Sequence, residues 1–228
     1  MNKQKIILAG GGDAEESYLV DELFKDILPS KSFLFLPQAI SPEIWSYEKS
    51  FEWIGKPKAF KDFNITMWKE IKNVTLNELL EYEAIYLMGG NTFKLLKCLR
   101  DTHMFELLKD YLNHGKTIYG ISAGAIIMGR HIKTAALGPE KDENLVSLKD
   151  FTSLDLLNGA IVLTHYNEEV DQELFEMSKN DGKKIICIPE TSGILVEELI
   201  CSVIGPDSVV VIDFPNKNSF EKGSSFQI

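Results

Sequence analysis

Gly120-Ile121-Ser122-Ala123-Gly124 follows the apolar run Thr117-Ile118-Tyr119 and leads into Ala125-Ile126-Ile127-Met128, a succession that reads as strand, sharp turn, helix. Glycines two residues to either side let the backbone fold tightly and lift the serine hydroxyl above a sheet edge at a helix N-terminus. The first amides of that helix then point towards any negative charge developing beside the hydroxyl. A five-residue pattern of this kind also arises as a plain small-residue turn, so its surroundings decide its meaning.

Strand and helix signals alternate on both sides of it. Lys5-Ile6-Ile7-Leu8-Ala9 is a short apolar run closed by Gly10-Gly11-Gly12, hence a buried strand and a turn. Tyr18, Leu19, Leu23, Phe24, Ile27 and Leu28 recur at helical spacing until Pro29 stops the helix. Ser32-Phe33-Leu34-Phe35-Leu36 is a second buried strand, and Ser41-Pro42-Glu43 predicts a helix start with Ser41 as N-cap. Residues 65–71 read as a third strand, and Thr75-Leu76-Asn77-Glu78 as a capping box. Ala84-Ile85-Tyr86-Leu87-Met88 is a fourth strand entering Gly89-Gly90-Asn91 and another helix. Beyond the serine, residues 134–150 lack periodicity, as functional loops often do. Ala160-Ile161-Val162-Leu163-Thr164 is a strand ending at His165, Asn167 caps a Glu-rich helix reaching residue 179, and residues 184–188 form a strand ending at Pro189-Glu190. The tail's short apolar runs, broken by Gly193 and Gly205-Pro206, suggest antiparallel strands. The alternation predicts one α/β domain over residues 1–228, a doubly wound, mostly parallel sheet with helices on both faces and antiparallel C-terminal strands.

The composition bounds the function. At 228 residues, 44% hydrophobic and 25% charged, the chain has the profile of an ordinary globular domain. No apolar run approaches the ~20 residues needed to span a bilayer. The opening apolar stretch is too short for a secretory leader, which predicts a cytoplasmic protein with no membrane partner. Cys98, Cys187 and Cys201 form no metal-binding or disulfide spacing and suit a reducing compartment. A net charge of −10 argues against a nucleic-acid partner. Gly10-Gly11-Gly12-Asp13 falls short of a dinucleotide fingerprint because Glu15 stands where a glycine is needed and would repel a pyrophosphate.

Ligands of open α/β sheets bind beyond the carboxyl ends of the strands. Asp13, Gly89-Gly90-Asn91, Ser122, His165 and Glu190 all sit there. Ser122 needs a base to become a nucleophile. Of four histidines, His103 and His114 read as surface or helix-end residues and His131 follows the helix after Ser122, whereas His165 stands at a strand end and is the predicted base. The carboxylate that orients it is Glu190, with Glu140, Asp142 and Glu143 of the long loop as alternatives. The amides of Ala123 and Gly90 are the natural oxyanion donors. Asn91 is read both as the cap of the following helix and as a substrate-binding residue.

Gly89-Gly90-Asn91-Thr92-Phe93, followed by Gly120-Ile121-Ser122-Ala123-Gly124-Ala125, resembles the peptidase E family, which groups α-aspartyl dipeptidases with cyanophycinases and shares its fold with class I glutamine amidotransferases. Gly10-Gly11-Gly12, His165 and Pro189-Glu190 extend the likeness over most of the chain. The resemblance implies a serine peptidase with Ser122 as nucleophile, His165 as base and the Gly90 and Ala123 amides as oxyanion hole. Its expected partner is a small peptide substrate; a homodimer is compatible with it, and no metal or organic cofactor is required. Two departures stand out. The family's aspartate beyond the serine turn has no counterpart in Lys133-Thr134-Ala135-Ala136-Leu137, which moves the choice of acid to Glu190. The arginine that would read an N-terminal aspartate is absent from the acidic stretch after His165, with Arg130 and Lys133 the nearest basic candidates. A catalytically degenerate binding module and a non-peptide serine hydrolase are the alternative functions. A lipase-like α/β-hydrolase fits less well, because its histidine comes late and no histidine follows His165.

Overall fold

The apolar runs become strands whose alternate residues face opposite ways. The computed structural model describes residues 4–56 and 58–228; residues 1–3, part of the stretch on which the reading of no secretory leader rests, lie outside them. Strands β1 (Lys5–Ala9), β2 (Ser32–Leu36), β3 (Asn64–Met67), β4 (Ala84–Leu87) and β5 (Thr117–Ile121) lie parallel in the spatial order β1-β5-β4-β2-β3. Two further strands, β6 (Ile161–Leu163) and β7 (Ile185–Cys187), pair in parallel with each other in a second sheet. The chain then returns through β8 (Gly193–Glu197), antiparallel to β1, and β9 (Ile200–Ile204). Next, β10 (Val209–Asp213) and β11 (Asn216–Phe220) complete the second sheet, and β12 (Ser225–Gln227) closes the first beyond β9. Among the described residues the first sheet has eight strands and the second four. The mostly parallel centre and antiparallel C-terminal strands match the sequence reading. The strand pair leading to His165 and Glu190, however, stands outside the main sheet, because β1 is already paired on one edge by β5 and on the other by β8.

Among the described residues, seven helices cover these sheets: α1 (Tyr18–Ile27), α2 (Tyr47–Ile54), α3 (Leu76–Leu80), α4 (Thr92–Asp101), α5 (Met104–Asn113), α6 (Ala123–Ile126) and α7 (Asp171–Asp181). Ile6 and Leu8, Leu34 and Leu36, and Ile85 and Leu87 pack on one face with residues of α3 to α6. Ile7 and Ala9, Phe33 and Phe35, and Ala84 and Tyr86 pack on the other with Val20 and Phe24 of α1 and Ile54 of α2. Both faces are apolar, so these strands are continuous hydrophobic runs. A third core joins β6, β7 and β10 to Leu174 of α7. No helix among the described residues is long and apolar enough to cross a membrane.

Local signals place most boundaries. The capping box at Thr75 and Glu78 forms as read, as does the Asn91 cap of α4. Three readings are corrected. The helix expected at Ser41-Pro42 begins instead at Tyr47, capped by Ser46, whose Oγ accepts from Lys49 N at 3.3 Å. Ser41 closes only a turn, its carbonyl accepting from Ile44 and Trp45 N, and Ile44 is 82% exposed, so no apolar face exists there for a helix to bury. The third strand ends at Met67 because the Gln38 amide takes over, donating to the Trp68 carbonyl at 2.8 Å. Asn167 caps a 3-10 turn, Glu168–Val170, and α7 follows from there.

Candidate active site

Strand β5 is buried along its whole length and delivers Ser122 at its carboxyl end. Ser122 has φ 52° and ψ −117°, a conformation that costs a non-glycine residue about 1–3 kcal/mol. Its backbone is held there on both sides, its N–H donating to Ala9 O at 3.1 Å and its carbonyl accepting from Ala125 N at 2.8 Å. The flanking glycines let the backbone fold tightly, as read, while the positive φ belongs to the serine, and neither Gly120 nor Gly124 has one. They supply room. A Cβ on Gly120 would lie 2.1 Å from the Gly124 carbonyl oxygen, and one on Gly124 would lie 2.2 Å from that of Leu87 in β4.

His165 follows β6 and also has a positive φ, 52°, with its amide donating to Gly10 O at 3.2 Å. This contact ties the second sheet to the carboxyl end of β1 and brings the imidazole over the serine. His165 Nε2 lies 2.8 Å from Ser122 Oγ. Its Nδ1 is hydrogen-bonded to Glu190 Oε2, beyond the end of β7. An ionised carboxylate only accepts, so Nδ1 carries the proton and Nε2 presents its lone pair to the serine hydroxyl. Gly11 packs against this pair: a Cβ there would fall 2.3 Å from His165 Cε1 and 3.0 Å from Glu190 Oε2. The sequence marked Gly11 as part of a turn and carried no signal of which side chains it faces.

Gly90 lines a cavity together with Ser122, Ala123 follows the serine in sequence, and among the described residues their amides donate to no protein acceptor. The other sequence candidates are placed elsewhere. Asn91 Oδ1 accepts from Lys94 N at 2.9 Å and its Nδ2 donates to Glu143 O at 2.8 Å, so its side chain caps α4 and tethers the loop. Of the alternative acids, Asp142 Oδ2 accepts from Thr92 N at 2.8 Å and Glu143 offers its carbonyl to Asn91, while both ring nitrogens of His165 are taken by Ser122 and Glu190. Burial pushes the Asp142 carboxyl above the usual range, opposed by its hydrogen bonds from Thr92 and by nearby His165. His131 pairs through Nε2 with Asp181 at 2.7 Å, His114 bonds the Asp110 carbonyl, and His103 precedes α5. Lys133 turns to Asp181 at 3.4 Å and shares a separate cleft with Arg130, so neither basic candidate reaches the serine.

Two cavities reach Ser122 and His165. One, of about 320 Å³, is bounded by Gly90 and by the loop that carries Glu140 and Asp142. The other, of about 360 Å³, runs past Gly11, Glu16 and Trp53 to Glu190.

Residues 6–203 match the model of peptidase family S51. A peptidase E from Nostoc sp. is 24% identical, with 94% of this chain and 90% of that protein covered. A cyanophycinase from Trichormus variabilis is 26% identical over 73% of this chain and 57% of its own length. The fold of a peptidase from an acI-B1 actinobacterium superposes with a TM-score of 0.70 at 17% identity, over 99% of this chain and 97% of that one. With the family match spanning most of its length, from the first strand to the last but three, the chain belongs to peptidase family S51 and is a serine peptidase.

Proposed function

We propose that this protein hydrolyses small peptides, in the manner of a dipeptidase, through an acyl-enzyme formed on Ser122. The observation that carries the reading is the hydrogen-bonded chain from Ser122 Oγ to His165 Nε2, at 2.8 Å, and from His165 Nδ1 to Glu190. In this mechanism His165 takes the hydroxyl proton as Oγ attacks the scissile carbonyl. The oxyanion that forms is held by the Gly90 and Ala123 amides, a donor pair of which each member is worth about 3–4 kcal/mol. Imidazolium then protonates the leaving amine, the C–N bond breaks, and the acyl group stays on Ser122. Water, deprotonated by His165, releases it as a carboxylic acid. Glu190 holds the tautomer and stabilises the cation. Cavities of about 320 and 360 Å³ beside the serine support a short substrate, and three free thiols suit the reducing cytoplasm.

Ser122→Ala and His165→Ala are each expected to lower kcat on a cleaved dipeptide by at least about 10³-fold, because such residues act as a unit. Glu190→Gln is expected to cost about 10²–10⁴-fold through the wrong tautomer. A fluorophosphonate should label wild-type Ser122 and leave Ser122→Ala untouched. Full turnover by His165→Ala would remove it from the mechanism. Persistent failure to label Ser122 would favour a non-catalytic binding module, and turnover of esters without peptides a non-peptide hydrolase.

A further inference from the structure

The cavity of about 320 Å³ has a chemical character opposite to the one that an aspartyl substrate needs. Glu140 and Asp142 both line it, and among the described residues no lysine or arginine does. Ile126, Leu137, Leu163 and Val170 supply apolar wall between the polar groups. Apolar walls leading to carboxylates suit a group with an aliphatic stem and a cationic head. The two basic residues that could have reversed the sign, Arg130 and Lys133, lie in another cleft.

We infer that this cavity binds a cationic group of the peptide substrate, with Glu140 and Asp142 as its counter-charges. The inference rests on the reading of Ser122 as nucleophile. Asp142 has a structural duty as well, since it accepts from the Thr92 amide at the start of α4. Its burial disfavours its charge, and a bound cation would restore the balance. Acidic substrates would meet like charge in a partly desolvated site, which opposes binding. The cation has two sources in a peptide, the amino terminus and a lysine or arginine side chain, and the cavity's chemistry is shared by both.

The test compares kcat/KM for peptides that place lysine on either side of the scissile bond with the same peptides carrying norleucine, N-terminally free or acetylated. At least a tenfold advantage is expected for the charged member of one of these pairs. Loss of that advantage on acetylation identifies the amino terminus, and loss on replacing lysine by norleucine identifies the side chain. Glu140→Gln and Asp142→Asn should each shrink the charged-to-neutral ratio at least threefold. Glu140 is exposed, so its variant serves even if Asp142→Asn weakens the loop. Equal rates for charged and neutral peptides, a preference for aspartate, or a ratio unmoved by the Glu140 and Asp142 variants would overturn the inference. Fluorophosphonate labelling separates this outcome from failure of the catalytic reading: a labelled Ser122 without cation preference rejects only the cationic subsite.

Discussion

Ser122 stores conformational strain at the point where the chemistry is placed. With φ 52° and ψ −117°, it occupies a region that glycine enters without a Cβ penalty. Ser122→Gly and Ser122→Ala both lose the hydroxyl and its bond to His165, so their stability difference isolates the backbone. Ser122→Gly is expected to melt a few degrees above Ser122→Ala, corresponding to about 1 kcal/mol after glycine's greater freedom in the unfolded chain is subtracted. A melting temperature for Ser122→Ala equal to or above that of Ser122→Gly would show that the turn is unstrained. The sequence located this serine because its signal is local: an apolar strand, small residues that permit close approach, and a helix start within a dozen positions. It did not show which residue of the turn carries the positive φ, since a glycine needed for space and a glycine needed for conformation look the same in one dimension.

At the scale of elements, the turn after β1 meets the ends of β6 and β7. Gly11 leaves no room for a methyl group beside His165 and Glu190. Gly11→Ala is therefore expected to displace the imidazole and lower kcat about 100-fold, the scale of loss that follows a misplacement of about 1 Å. Activity within threefold of wild type would show that the pair accommodates the methyl group. Helix starts were legible where a cap and an apolar stripe coincide, as at Thr75 and Asn91. Ser41 and Ser46 offer comparable caps, and the choice falls to Ser46 because the helix that follows buries Ser50 and Ile54. The Asn91 amide was legible as a cap and illegible as a tether, because its second partner, Glu143, lies 52 residues away.

Across the whole molecule, helix α1 carries Asp21 into the core, 1% exposed, where Tyr119 donates to Oδ1 at 2.8 Å and Ser17 to Oδ2 at 2.9 Å. Burial raises its pKa from 3.8 to about 7, against the lowering effect of both hydroxyls. Between those values the folded state holds more protons than the unfolded chain, so the Asp21 contribution to stability falls as pH rises and levels off above about 7. Asp21→Asn removes this loss. Its stability relative to wild type, measured by urea denaturation from pH 4.5 to 8, is expected to rise with pH by up to about 3 kcal/mol. A flat difference would mean that Asp21 titrates normally. Apolar runs, caps and glycine turns act over a few residues, so the chain's strands, most of its helices, its α/β class and the strand-end positions of Ser122, His165 and Glu190 could be read without coordinates. The second sheet, the hydrogen bond from His165 to Glu190 and the acidic lining of the cavity that holds Ser122 were decided in three dimensions. They depend on which segments meet: His165 bonds partners 25 and 43 residues away, and β1 has no free edge for a further strand. Pairing at that range follows from packing the two sheets together, and nothing in the neighbouring residues encodes it.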